Sequence, residues 1–359
     1  MKRKASKKEG ISILKRTSVV TDYLSTGSTP LDLSVSCNKS NYGGIPSGRI
    51  TEFSGGGATG KTYICGELCG DALRKGYDLV VVDDIERRWD LSRIDTFGLS
   101  LSDKRFVYLD PGSSTIEGCF ETMFQKLDKL KSGEKCLYIV DPIAALYSRV
   151  EVEASDKMGQ AKAKALQKNM RYLRDRVYSG SGTAVVFSNQ LIDAVGKSFG
   201  PKKIVPGGNA MIHWPSVRVR FSVPKQGKIT DTDSPAGKEI TKVVGIRIHG
   251  RVEKNSEDDA FRESDFSIQY GHGIDDILDC ALWLKTYTTG LDVDGKDSKW
   301  FGLYDHSPVY TLRKFIGFVE RNDLEEDLLD LTCSLYRKVY KTKVRKGRYR
   351  RDEAESNGE

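Results

Sequence analysis

Apolar runs recur along the chain at 50–53, 79–82, 137–140, 183–187, 217–223 and 243–248, and several are separated by stretches with helical spacing. The run Leu79-Val80-Val81-Val82 is apolar without polar alternation, which predicts a strand covered on both faces and hence a largely parallel sheet. Helices are expected over 61–75, 115–131, 159–178 and 276–286, with a further amphipathic run from Leu324 to Tyr336. Alternating elements of this kind predict an α/β protein, a mostly parallel twisted sheet flanked by helices. No internal repeat marks a solenoid or propeller. The polar stretches 231–237 and 288–299 read as loops, the second as a domain boundary.

A chain of 359 residues with 38% hydrophobic composition supports one large core and a smaller appendage. No apolar run approaches membrane-spanning length. The first ten residues are charged and lack a signal-peptide core, so a cytoplasmic location is expected. Cysteines stand at 37, 65, 69, 119, 136, 280 and 333, an odd number without a C-x-x-C pair, which suits free thiols. Cys65 and Cys69 lie one helical turn apart, but with no histidine or second cysteine pair near them they read as core thiols rather than metal ligands.

The net charge of +7 belongs to the termini: residues 1–24 carry +5, residues 337–351 carry +9, and the last eight carry −4. The interior is therefore slightly acidic. Basic runs with interleaved tyrosines suit a phosphate backbone, and a solvated tail is the plainer alternative.

The chemistry is densest at Gly55-Gly56-Gly57-Ala58-Thr59-Gly60-Lys61-Thr62, a complete G-x-x-x-x-G-K-[ST] loop between a strand-like run and a helix-like one. Glycines let backbone N–H groups close around a phosphate, a lysine there neutralises β/γ charge, and the threonine hydroxyl faces Mg²⁺. The expected ligands are ATP and Mg²⁺. Leu137 to Asp141 is an apolar strand ending in an acid, as a Walker B strand does, with Asp141 holding the metal through water. Glu86, after Asp83 and Asp84, is the candidate general base. A surface acid cluster pairing with Arg87 and Arg88 is the bland alternative.

Together with this loop, several motifs resemble the RecA family of strand-exchange recombinases. Ser25-Thr26-Gly27-Ser28 with Leu31-Asp32, and Gly43-Gly44-Ile45-Pro46-Ser47-Gly48-Arg49-Ile50, are similar to its approach to the phosphate loop. Asp84-Ile85-Glu86 followed by Asp90 resembles the segment with the catalytic glutamate and an adenine-contacting aspartate, and Arg93 stands where a stacking tyrosine is frequent. Val140-Asp141-Pro142 resembles the Walker B region, with Pro142 where serine is common. Ser188-Asn189-Gln190 resembles the sensor strand, and Tyr270-Gly271-His272-Gly273-Ile274 the segment that closes the core.

The resemblance covers roughly residues 24–275 and implies a RecA-type P-loop ATPase core over 36–275. It implies a first DNA-binding loop at about 149–160, with Met158 and Gly159. A second, at about 191–206, holds Val195, Gly196, Lys197, Phe199, Gly200, Lys202 and Lys203, followed by Gly207, Gly208 and Asn209. Val195 and Phe199 suit stacking between bases, and the lysines suit phosphates. Gln190 ends a predicted strand and leads into that loop, so a γ-phosphate contact there would reach DNA. Lys254 resembles a basic residue that acts on a neighbouring subunit's ATP, while Ser256 stands where a second is usual. The basic residues of the helix after Met158 are distributed around it, and only its first turn is expected at DNA.

The remaining organisation is a basic N-terminal segment (1–35) as a candidate subunit contact, a small helical C-terminal domain (276–336), and a basic then acidic tail (337–359). The divergent ends are similar to the phage-encoded, UvsX-like branch, which implies a host-cytoplasmic setting. The resemblance implies a DNA-dependent ATPase that forms helical filaments on single-stranded DNA and exchanges strands with duplex DNA. Single-strand-binding or loader proteins are further expected partners, and no membrane is. An accessory ATPase or a DNA-binding mediator without strand exchange is the alternative.

Overall fold

The computed structural model describes residues 20, 22–153, 158–178, 182–193, 203–204, 206, 208–233, 239–287 and 312–340. Strands β1 (Ile50–Gly55), β2 (Leu79–Asp84), β3 (Phe106–Leu109), β4 (Cys136–Asp141), β5 (Thr183–Gln190) and β6 (Val217–Ser222) run parallel. Their spatial order is β3-β2-β4-β5-β1-β6. Beyond β6 the ten-stranded sheet continues antiparallel through β7 (Lys228–Asp233), β8 (Ile240–Asn255), β9 (Glu263–Gln269) and β10 (Gly273–Ile274). The long β8 pairs with β7 along its first half and with β6 along its second. The loop expected at 231–237 thus begins inside a strand.

The period-2 alternation of a strand explains why these runs are apolar throughout. Val80 and Val82 face one layer, with Ile64, Cys65, Leu68 and Cys69 of helix α2 (Lys61–Arg74). Val81 faces the other, with Phe120 and Met123 of α3 (Ile116–Leu127) and Leu166, Met170 and Leu173 of α4 (Met158–Val177). The cysteines at 37, 65, 69, 119, 136, 280 and 333 are all buried and unpaired. Burial raises the thiol pKa values of Cys65 and Cys69, and among the described residues no metal-binding group forms around them.

A third apolar cluster joins residues 33 and 37 to the helices beyond residue 275. Helix α1 (Thr29–Ser36) is an eight-residue helix opened by Pro30, which suits a first turn because its missing N–H is not needed. Leu31 and Val35 enter the main core, whereas Leu33 meets Cys280, Ala281 and Leu284 of α5 (Asp276–Tyr287). Helices α6 (Leu312–Arg321) and α7 (Glu325–Tyr340) complete this cluster, with Tyr336 stacked on Trp283 at 4.9 Å between ring centroids. Since α1 crosses residue 35, the chain from Thr29 onward is continuous with the core.

The turn Ser25 to Thr29 is fastened to this junction by buried carboxyls with neutral partners. Asp32 accepts from Ser25 Oγ and Thr26 Oγ1, each at 2.6 Å. Asp276 accepts from Thr29 N at 2.6 Å and Thr29 Oγ1 at 2.7 Å, and Asp279 accepts from Ser28 Oγ at 3.0 Å. Burial pushes Asp32 up to about 7 and Asp276 up to about 6, and raises Asp279 well above the carboxylate range. With folded pKa values above the unfolded ones, their stabilisation is full below about pH 4 and is lost as pH rises through about 6 to 7. Amide exchange over 25–32 and 276–287, corrected for intrinsic rates, should therefore speed up between about pH 4 and 7. Asp276→Asn should flatten that dependence, and unchanged profiles in both proteins would contradict it.

Candidate functional site

The phosphate loop leaves β1 at Gly55 and turns into α2 through Gly60, which sits at φ 74°. A Cβ at Gly60 would lie 2.6 Å from Ile248 Cδ1 and 2.7 Å from Ile268 Cδ1, so both backbone angle and packing require glycine. At Gly55 a Cβ would meet Thr59 Oγ1 at 2.5 Å. Gly57 instead opens onto free space, where a phosphate can approach the backbone. Gly57 and Ala58 form the exposed rim, with Gly56 half-buried beside them and Thr59 buried beneath.

Lys61 curls over this loop, its Nζ donating to Gly56 O at 2.7 Å, Gly55 O at 3.2 Å and Thr59 Oγ1 at 3.2 Å. Burial lowers its pKa, opposed by the nearby Asp141 charge. An anion at the loop would reverse that shift. Thr62 Oγ1 donates to Asp141 Oδ2 at 2.8 Å, bringing the helix start against the end of β4. Trp89 Nε1 donates to the same oxygen at 3.1 Å, while its backbone N–H and the Tyr108 hydroxyl each donate to Asp84 at 2.9 Å. Hydroxyl and carboxylate oxygens side by side are the hard donors Mg²⁺ takes. The residues fit that ion: Thr62 and Asp141 would hold it, and its charge would polarise phosphate oxygens.

The pocket over this loop is also lined by Asp84, Glu86, Arg88, Pro142, Ser188 and Gln190. Glu86 is half-buried and pairs with Arg88 Nε at 2.9 Å, so the acid-arginine contact exists inside the pocket rather than on an unrelated surface. Asp90 is exposed and is not a lining residue: its carboxylate caps the turn at 91–97, accepting from Ser92 Oγ at 2.6 Å, with Arg93 at 3.7 Å.

Gln190 lines the pocket from the last position of β5. The next residue, Leu191, donates its N–H to Gly55 O at 3.0 Å. Then Ile192–Asp193 pairs antiparallel with Lys203–Ile204, closing the base of the 191–206 segment. Asn189 adds a second tie, its amide donating to Glu52 at 2.8 Å and to Pro206 O at 3.3 Å. Glu52 in turn holds Arg218 Nε at 2.5 Å. Val195, Gly196, Lys197, Phe199, Gly200, Lys202 and Gly207 lie outside the described residues, and the side chains of Met158, Gly159 and Lys203 are not among those described.

Gly208, at φ 59°, and Asn209 open a short helix, Asn209–His213, against α4. The groove between them is lined by Lys164, Lys168, Arg171 and His213, with Tyr172 exposed beside them. These three cations are spaced i, i+4, i+7 and form one stripe, a subset of the six basic residues spread around this helix. The other basic residues of α4 have structural partners: Lys162 Nζ donates to Ala144 O at 2.6 Å, Arg174 lies 5.1 Å from the Trp214 ring centroid, and Arg176 pairs with Asp128 at 3.0 Å. Composition alone could not sort them. The groove stripe needed the helix's register against the sheet.

Lys254 lies away from its own chain's pocket. On β8 it registers with Arg218, which registers with Glu52, three residues before Gly55 where the phosphate loop leaves β1. Its Nζ donates to His213 O at 2.6 Å and Ile212 O at 3.3 Å, capping the short helix that starts at Asn209. Ser256 is exposed, while Arg247 pairs with Asp265 at 3.1 Å and Arg251 with Glu263 at 3.4 Å.

A glycine-rich loop between β1 and α2, an acid ending β4 and a parallel sheet define a P-loop ATPase. The family model described as RecA N-terminal domain matches residues 2–275. Protein RecA of Thermus aquaticus is 30% identical over 310 residues, spanning 86% of this chain and 83% of that one. Protein RecA of Syntrophus aciditrophicus is 32% identical over 71% of this chain and 69% of its own. That of Fusobacterium nucleatum is 28% identical over 81% and 70%. The chain belongs to the RecA family of ATP-dependent recombinases. Among the described residues no helix is long and apolar enough to cross a membrane.

Proposed function

We propose that this chain assembles as a helical filament on single-stranded DNA, holds ATP and Mg²⁺ between adjacent subunits, and exchanges strands with duplex DNA. The observation that carries the reading is the run from pocket to loop: Gln190 in the pocket, Leu191 bonded to Gly55, and the paired base of 191–206 immediately after. A change in γ-phosphate contact at Gln190 is transmitted through main-chain bonds to the segment that holds DNA.

In this reading the N–H groups of 56–60, with Lys61, take the phosphates; Thr62 and Asp141 hold Mg²⁺; Glu86 orients and deprotonates the attacking water. Asp90 contributes at the adenine end. Lys254 serves a neighbour's site, which agrees with its distance from its own phosphate loop. The strand's backbone runs past Asn209 and the Lys164, Lys168 and Arg171 stripe, with bases stacked by Val195 and Phe199.

Lys168→Ala with Arg171→Ala tests the groove. Losing two phosphate contacts should weaken single-strand binding uniformly across sequences and reduce the salt slope by about 1.4. Nucleotide affinity should be unchanged. A normal slope removes the groove from the DNA path, and DNA-stimulated hydrolysis by the wild type without any strand exchange would mark an accessory ATPase instead.

A further inference from the structure

We propose that Arg88 is a second catalytic cation, supplied in cis to the γ-phosphate of the nucleotide bound by its own chain. The inference rests on the ATPase reading above and assigns a further residue to that site.

The charge inventory of the pocket leads to it. Lys61 and Arg88 are the two cationic side chains among the described lining residues, facing three acids, Asp84, Glu86 and Asp141. Lys61, whose Nζ lies at the carbonyls of Gly55 and Gly56, serves the phosphates from the loop side of the pocket. From a neighbouring subunit the family resemblance implies one cation, Lys254, with the uncharged Ser256 standing where a second is usual. The γ-phosphate end of a triphosphate therefore needs another cation.

Arg88 is placed to provide it. Its side chain is 69% exposed yet lines the pocket, and it reaches Glu86 at 2.9 Å. Arg87, just before it, adopts φ 54°, a left-handed conformation that costs energy in a residue with a side chain. That turn returns the chain toward the pocket between Glu86 and Trp89, whose own N–H groups are fixed on Asp84 and Asp141. A guanidinium is a rigid fork suited equally to a carboxylate and to phosphate oxygens.

The sequence of events follows. With a triphosphate bound, the guanidinium passes from Glu86 to the γ-phosphate oxygens, and the freed carboxylate accepts the proton of the attacking water. The water oxygen bonds to the γ-phosphorus as the bridging P–O bond breaks. That electron pair leaves on ADP, and Arg88 offsets the charge on the departing phosphate.

The full chain is assayed as wild type, Arg88→Ala, Arg88→Lys and Lys61→Ala, reading DNA-stimulated kcat, KM, and affinity for ADP and ATPγS. Arg88→Ala should lower kcat about 10³-fold, the low end for an arginine acting on a transferring phosphoryl group. It should weaken ATPγS about tenfold, a charged hydrogen bond's worth, and leave ADP unchanged. Arg88→Lys should recover part of the kcat because it keeps charge without the fork. Unchanged kcat in Arg88→Ala, or equal weakening of ADP and ATPγS, overturns the proposal while wild-type turnover and an inactive Lys61→Ala leave the nucleotide site standing. A wild type without turnover, or an active Lys61→Ala, overturns both.

Discussion

Replacing Lys61 with alanine is expected to abolish ATP-stimulated DNA binding and to reduce ATP turnover by at least about 10²- to 10³-fold, as loss of one preorganised phosphate donor does. The substitution removes the charge nearest the loop and its three contacts to Gly55, Gly56 and Thr59. Burial already lowers the pKa of this lysine, so an anion gains more from it than from an exposed one. Calorimetric titration with ATPγS, beside a DNA-binding assay with and without nucleotide, reads both losses. Triphosphate binding equal to the wild type would place the nucleotide elsewhere.

Glu86→Gln should separate what Lys61→Ala removes together. The amide preserves shape but cannot take a proton, so hydrolysis should fall about 10²- to 10⁴-fold while ATP affinity holds. Trapped in the triphosphate state, the variant should remain on single-stranded DNA after wild-type protein has turned over its ATP and dissociated. Release at the wild-type rate would show that the base is another group. Asp84 is the nearest rival by position, but its carboxylate is occupied by Trp89 N–H and Tyr108 OH.

The central strands were legible because their apolar runs are what a doubly covered sheet requires, and the phosphate loop because its glycines are dictated by backbone geometry. β3 escaped notice since Phe106–Leu109 is a half-buried edge strand of the sheet, and β9 because Glu263–Gln269 mixes polar residues with Phe266 and Ile268. The helix Thr29–Ser36 is rich in serine, threonine and valine, weak helix formers, and forms because its Leu31, Leu33 and Val35 are buried between two clusters. Strand β8 extends well past the expected 243–248 because β6 and β9 both pair with its second half.

The site divides the same way. Lys61, Thr62, Asp141, Glu86 and Gln190 stand in one pocket as the motifs imply. Trp89 gave no sequence signal, and Arg88 was legible only as a surface partner of the acid cluster, since an indole N–H on a carboxylate and a guanidinium inside the pocket arise from the turn after β2. The groove stripe on α4 was hidden among basic residues that serve packing, and only their partners distinguish the two groups.

The central claim is that the γ-phosphate sets the grip on unpaired DNA through Gln190 and the segment anchored at Leu191. Its most direct test is the equilibrium affinity for a fluorescent single-stranded oligonucleotide measured in ATPγS, in ADP and without nucleotide, each at the same salt. Tight, cooperative binding with ATPγS and weak binding in the other two states is the predicted result. One affinity shared by all three states would contradict it.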